Sequence, residues 1–207
     1  MRCPRNKTSL ICVLHVRLRD LASVALLCGA DASEVQKVRS LCVANADLVR
    51  RHPLYLLSFL YERRYRTWTY WFAERWNEVV DIETVNKLTS PVFAGNVSVE
   101  RRKALRETET LLKELYKINL ELCHCENVFS FSKELGDFLL KMVAVVDSAP
   151  ARGDAQPASR RHGHEVEDRI RFTISRFAAV RRRLLEVKHR LDGQINALNF
   201  VGSGRRP

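Results

Sequence analysis

The clearest signal in the chain is an apolar residue recurring in alternating steps of four and three. Positions 111, 115, 118, 122, 125, 129, 132, 136, 139, 143 and 146 hold Leu, Leu, Ile, Leu, Cys, Phe, Ser, Gly, Leu, Val and Val. That spacing keeps the side chains on one face of an α-helix and predicts a long helix with a coiled-coil-like seam. Ser132 and Gly136 interrupt it, and Gly136 either weakens the helix locally or lets a neighbour approach closely. A second run occupies 166, 170, 173, 177, 180, 184, 187, 191, 194 and 198 with Val, Ile, Thr, Phe, Val, Leu, Val, Leu, Gln and Leu. It predicts a helix starting near Glu165. The polar Thr173 and Gln194 can fix register or oligomer state at some cost in stability. Leu111, Leu115, Ile118, Leu122, Cys125, Phe129 and Leu139 are the expected packing residues of the first seam. Val166, Ile170, Phe177, Leu184 and Leu191 are those of the second.

Upstream the pattern is less regular. Leu10, Leu14, Leu18, Leu21, Val24 and Leu27 lie three or four apart and read as a helical stripe, broken at "CGAD". Asp31 stands three before Glu34, a capping pair for a short helix through Ala46 whose inner face is Val35, Val38, Leu41, Cys42 and Ala46. Pro53 suits a first helical turn, where its missing N–H is harmless. No Gly or Pro follows until Pro91, which permits a helix of about 36 residues. Its stripe is Leu57, Tyr61, Trp68, Trp71, Val79 and Ile82, widened by Phe59, Phe72 and Trp76. "TSPVFAGNVS" ends that helix and offers Ser98 as the next cap. "DSAPARGDAQPASRRHGH" reads as a linker, and "VGSGRRP" as a non-helical tail. The expected organisation is therefore 1–50 as short helices, 51–148 as a long helical hairpin, 149–164 as a flexible linker, 165–200 as a long helix, and 201–207 as a disordered tail. The fold class is all-α, with long antiparallel helices burying their stripes on one another and a shorter helical N-terminal part.

Composition supports this picture. The chain has 207 residues, of which 46% are hydrophobic and 29% charged, with only eight glycines and six prolines; that balance favours helices and excludes global disorder. The formal charge of +11 is concentrated toward the two ends. An excess of that kind attracts nucleic acid or an anionic membrane surface, although charge blocks are often only solvating. The six cysteines (Cys3, Cys12, Cys28, Cys42, Cys123 and Cys125) show no secreted disulfide spacing, so a reducing compartment is expected. "TSLICVLHV" is too short and lacks a cleavage pattern for a leader. No stretch reaches 18 consecutive apolar residues, so the reading is cytoplasmic, membrane-associated only if the gene encodes further spans.

Candidate chemistry is sparse. "LCHCE" places Cys123, His124 and Cys125 in succession. Consecutive helical residues are about 100° apart, so the three fan around the helix and cannot converge on one ion as a tetrahedral site requires. Cys125 belongs to the inward seam. "Asn96-Val97-Ser98" has the form of a glycosylation signal and "Arg152-Gly153-Asp154" that of an adhesion tripeptide, and both read as chance. No nucleophile elbow, phosphate loop or zinc-protease helix occurs. His162 and His164 sit beside Arg160 and Arg161 and read as exposed, while Glu107 and Glu109 suit a helix start. No catalytic residue, metal site, cofactor or small-molecule substrate is expected. In "YERRYRTWTYWFAERW" the rings of Trp68 and Trp71 fall on the inward stripe, with arginine stems laid over aromatic faces, rather than forming a base-stacking platform. Arg181, Arg182 and Arg183 span most of a helical turn and are the candidate anion-binding residues.

Four phrases carry a resemblance: "HPLYLLSFLYERRYRTWTYWF", "DIETVNKLTSP", "ELCHCENVFSF" and "DRIRFTISRFAAVRRRLLEVKHRLDGQIN". Together, from about Leu21 to Asn199, the chain resembles the soluble helical region of fungal CorA-like divalent-cation transporter proteins. The resemblance implies a cytosolic bundle of long helices, with 165–198 as the stalk that would lead into two hydrophobic spans. The sequence ends at Pro207 before any span and contains no Gly-Met-Asn signature, so no pore residue carries over. The expected function is a non-enzymatic helical interaction and assembly module, truncated before the pore, acting through helix association and forming a homo-oligomer through its long helices. The alternative is a basic helical module that binds nucleic acid or an anionic membrane surface.

Overall fold

A computed structural model of the chain describes residues 11–18, 21–89, 98–149 and 156–203, with side chains described over 11–18, 21–84, 108–149 and 163–199. In order it contains β1 (Ile11–Arg17), β2 (Ala22–Cys28), α1 (Ala32–Ala44), α2 (Ala46–Arg51), α3 (Tyr55–Thr89), α4 (Ser98–Ser148) and α5 (Gln156–Ser203). The fold is a bundle of long helices with one small two-stranded sheet. The glycosylation-like Asn96 and Val97 and the Arg152-Gly153-Asp154 tripeptide lie outside the described residues.

The helical stripe expected over 8–28 is instead an antiparallel hairpin, with Ile11 opposite Cys28, Val13 opposite Leu26 and His15 opposite Val24. The physical reason is parity. A step of four, as from Leu14 to Leu18, satisfies a helical period and also the period of two along a strand. The β-branched Val13, Val16 and Val24 then favour the pleated form. Gly29 leaves the hairpin at φ 78°, and Leu21 enters β2 at φ 57°, a left-handed conformation unusual for a bulky residue. Asp31 caps α1 as expected, its carboxylate accepting from the Glu34 N–H at 2.7 Å. α1 stops at Ala44, and Asn45 separates it from α2. Its expected inner face is only half-buried, and Val35 is exposed.

Pro53 lies in the turn before α3 rather than in its first helical turn, and the Tyr55 N–H closes that turn on the His52 carbonyl. The largest departure is α5. It begins at Gln156, nine residues before the expected Glu165, and continues to Ser203, so most of the expected linker and the start of the expected tail are helical. Gly163, read from sequence as a breaker, has a packing role. A Cβ there would stand 1.9 Å from Asp147 Oδ2, so the glycine leaves room for that carboxylate where α5 passes α4.

The chain divides into two compact units, each built from a segment of α3, α4 and α5. One comprises Met1–Trp68 and Val128–Ala178, the other Thr69–Asn127 and Ala179–Pro207. In the first, the Tyr61 hydroxyl donates to the Ser132 carbonyl at 2.7 Å, and Phe177 packs against Tyr61, Tyr65 and Phe129 with ring centroids 5.0–5.8 Å apart. The close approach of Gly136 to both Ile174 and Tyr61 joins the three helices at one level. In the second, Arg75 reaches Glu121, Lys188 reaches Glu126, and Arg190 reaches Glu83. In the first unit α4 runs antiparallel to α3 and α5, and α3 runs parallel to α5; in the second, α4 runs antiparallel to α5. Of the expected seam residues, Leu111 is half-buried and the other eleven are buried. Toward the end of α5 the buried position moves from the expected Gln194 to Ile195, as the 3.6-residue period drifts away from 3.5.

Candidate interaction surfaces

Some buried polar groups bond within their own helix and others join one helix to the next. Ser132 and Thr173 donate their hydroxyls to the carbonyls one turn back, Val128 at 2.7 Å and Arg169 at 2.9 Å, whereas the third polar interruption, Gln194, is half-buried and its Oε1 meets no hydrogen-bond partner among the described residues. Glu62 on α3 accepts from Arg66 at 2.6 Å and from Arg169 on α5 at 2.5 Å. Burial alone would raise the Glu62 carboxyl, but these two guanidinium bonds outweigh it and hold the group below the ordinary carboxylate range. Arg75 is almost fully buried and bridges Glu78 at 2.8 Å and Glu121 at 2.6 Å. Arginines cover rings: Arg75 over Trp71 within the aromatic-basic run, and, from α5, Arg169 over Phe59, Arg176 over Tyr65 and Arg190 over Trp76. Trp68 is completely buried, whereas Tyr70 faces solvent.

Cys123, His124 and Cys125 fan around α4. Cys125 is buried, Cys123 half-buried near Asn119, and His124 exposed. Burial, and then the charge of Glu121, push the Cys125 thiol well above its ordinary range, so it behaves as a small apolar core group. Among the described residues, no cluster of three or more His, Cys, Asp or Glu is placed to hold a metal ion. The candidate anion-binding arginines separate. Arg181 turns toward Glu126 at 3.9 Å, while Arg182 and Arg183 are exposed and make no ion pair with a described residue. His164 is exposed, 3.9 Å from Glu167.

Among the described residues, two groups of exposed apolar side chains stand out, and sequence reasoning singled out neither. The first is on α4 within the unit containing Val128–Ala178. Phe131, Phe138 and Val145 are exposed by 48%, 54% and 50%, and Leu135 and Met142 between them are half-buried. This is a second apolar row in steps of four and three, one residue behind the buried Ser132, Gly136, Leu139, Val143 and Val146. It lies about 100° around the helix from that row. The signal was present in the sequence, but the inner row accounts for the helix alone and masks it.

The second open surface is one face of the hairpin. Ile11, Val13, Val24 and Leu26 are all more than half exposed and share a face with Cys28, His15 and Arg17. Neither strand carries a carboxylate.

The chain matches no family model, no curated protein and no solved structure. Among the described residues, no helix is long and apolar enough to cross a membrane.

Proposed function

We propose that this chain is a non-enzymatic helical assembly module whose α4 offers an outward apolar row to a partner helix. The carrying observation is that α4 has two apolar rows, one consumed by α3 and α5 and one in solvent. Three half-exposed large side chains at heptad spacing form a contiguous patch, which isolated surface apolar residues do not. Helix-in-groove docking uses such anchors at i, i+4 and i+7. The interior ion pairs and the unreactive Cys125 are structural in this reading. The resemblance to the helical region of CorA-like proteins fits an assembly role, with α5 as the stalk-like element. Ion conduction is not proposed.

The test is the triple substitution Phe131→Gln, Phe138→Gln and Val145→Gln. The expected result is unchanged helicity, a melting temperature within about 6 °C of the parent because three surface changes of up to about 0.5 kcal/mol each sum to about 1.5 kcal/mol at most, and loss of binding of an apolar fluorescent dye. A loss of several kcal/mol would mean that the row is internal packing and would overturn the reading.

The hairpin face favours a second reading, attachment to an anionic membrane. Residues 1–29 contain Arg2, Arg5, Lys7, Arg17 and Arg19 against the single acidic Asp20. Exposed aliphatic side chains with basic neighbours suit an anionic lipid interface. Cosedimentation with vesicles rich in phosphatidylserine, lost in Val13→Asp and weakened by salt, supports it; equal binding to neutral vesicles counts against it.

A further inference from the structure

The outward row of α4 contains information about its own partner. In order it reads Phe131, Leu135, Phe138, Met142 and Val145; its first four members alternate aromatic with aliphatic or thioether, and Val145 lies beyond these four. Beside it stand Glu134 and Lys141, both exposed, opposite in charge and seven residues apart. Neither makes an ion pair with a described residue of its own chain; the neighbouring Lys133 instead pairs with Asp137.

We propose that the partner helix is α4 of a second copy of this chain, docked antiparallel. This inference rests on the reading of the row as a docking face. An antiparallel helix pair with heptad rows packs each core position of one class against the other class on its partner. With Leu135 set against the second copy's Phe138, Phe131 falls against its Met142, and the twofold axis repeats both contacts. Each of the four layers then pairs an aromatic ring with an aliphatic or thioether side chain, a favourable combination. The same register brings Glu134 beside the second copy's Lys141, and Lys141 beside its Glu134. A parallel pair instead sets Glu134 against the second copy's Leu139, a buried core residue, and leaves both charges unused. The interface is isologous, as in most homodimers. The row is five side chains on one helix, against roughly 20–30 residues a side in a standard interface, so the dimer is a weak, transient one.

The test is sedimentation equilibrium of the full chain at low salt over micromolar to several-hundred-micromolar concentrations. The samples are the parent, Glu134→Lys, Lys141→Glu, the equimolar mixture of the two, and the double variant. Both positions are exposed, so folding is not at issue. The parent should dimerise, and each single variant should dissociate about tenfold more readily, because two attractive contacts become repulsive. The mixture should regain affinity as a mixed dimer, and the double variant should regain it alone. Single variants that associate like the parent, or a mixture no tighter than its components, overturn the proposal. A dimer abolished by Phe138→Glu but indifferent to the charge variants overturns the antiparallel register and leaves the docking row. A parent that stays monomeric throughout overturns the second copy as partner and also leaves the row. The row itself fails by the glutamine variant's loss of stability, a separate readout.

Discussion

Replacing Gly136 with alanine tests the packing where α4 meets Tyr61 of α3 and Ile174 of α5. An alanine Cβ would stand 2.5 Å from Ile174 Cγ1, 2.7 Å from its Cδ1 and 2.8 Å from the Tyr61 hydroxyl, all far inside contact distance. Overpacking of this kind costs about 1–3 kcal/mol. Moving Tyr61 also disturbs its hydrogen bond to the Ser132 carbonyl, a net contribution of about 1 kcal/mol. Against this, alanine gains about 0.5–1 kcal/mol over glycine within a helix. The balance is a loss of about 1–3 kcal/mol, or a fall of roughly 2–10 °C in melting temperature for a chain of this size. Gly193 on α5 is the control. A Cβ there meets nothing within 4 Å, so Gly193→Ala should raise the melting temperature by about 1–4 °C. Adding Ile174→Ala to Gly136→Ala should recover about 1 kcal/mol relative to additivity, because the two share the clash. The assay is thermal denaturation followed by far-ultraviolet circular dichroism. A Gly136→Ala variant as stable as Gly193→Ala, or strict additivity with Ile174→Ala, would refute the reasoning.

Three further outcomes follow from the same packing. The Glu62 carboxyl is held below its ordinary value of 4.5, so it stabilises the fold above that pH and loses the contribution as pH falls through its lower folded value; Glu62→Gln should lower the urea midpoint at pH 7 and flatten its decline toward pH 3, and a decline as steep as the parent's contradicts this. Thiol labelling at pH 8, mapped by mass spectrometry, should modify exposed Cys28 first and buried Cys125 only on unfolding; equal native rates would contradict the burial of Cys125. Leu21→Gly removes a left-handed conformation worth about 1–2 kcal/mol for a side-chain-bearing residue, so amide exchange across β1 and β2 should slow, whereas faster exchange would count against the strain.

The two long seams were legible because many turns of consistent spacing leave no other structure that buries them. Eleven of twelve named positions are buried, and two of the three polar interruptions, Ser132 and Thr173, are satisfied by carbonyls one turn back in their own helices. The hairpin was not legible, since steps of four between Leu10, Leu14 and Leu18 obey both periods and the deciding signal was β-branching. The start of α5 was hidden by Gly163, a residue that usually interrupts helices but here makes room for Asp147. Arg75 and Glu62 could be recognised as covering aromatic faces or flanking charges, yet their partners lie 46 and 107 positions away and depend on helix pairing. The outward row was visible in principle and overshadowed by the row beside it. Arg181, Arg182 and Arg183 span most of a turn in the sequence reading, but only the fold assigns Arg181 to Glu126.

The central claim is that α4 has two apolar rows with opposite roles, and two adjacent residues test it most directly. Leu139 is 4% exposed and Phe138 is 54% exposed. Thermal denaturation of Leu139→Ala and Phe138→Ala should give a loss of about 2–5 kcal/mol for the first and less than about 1 kcal/mol for the second. A Phe138→Ala variant as destabilised as Leu139→Ala would place that ring in the core and contradict the account.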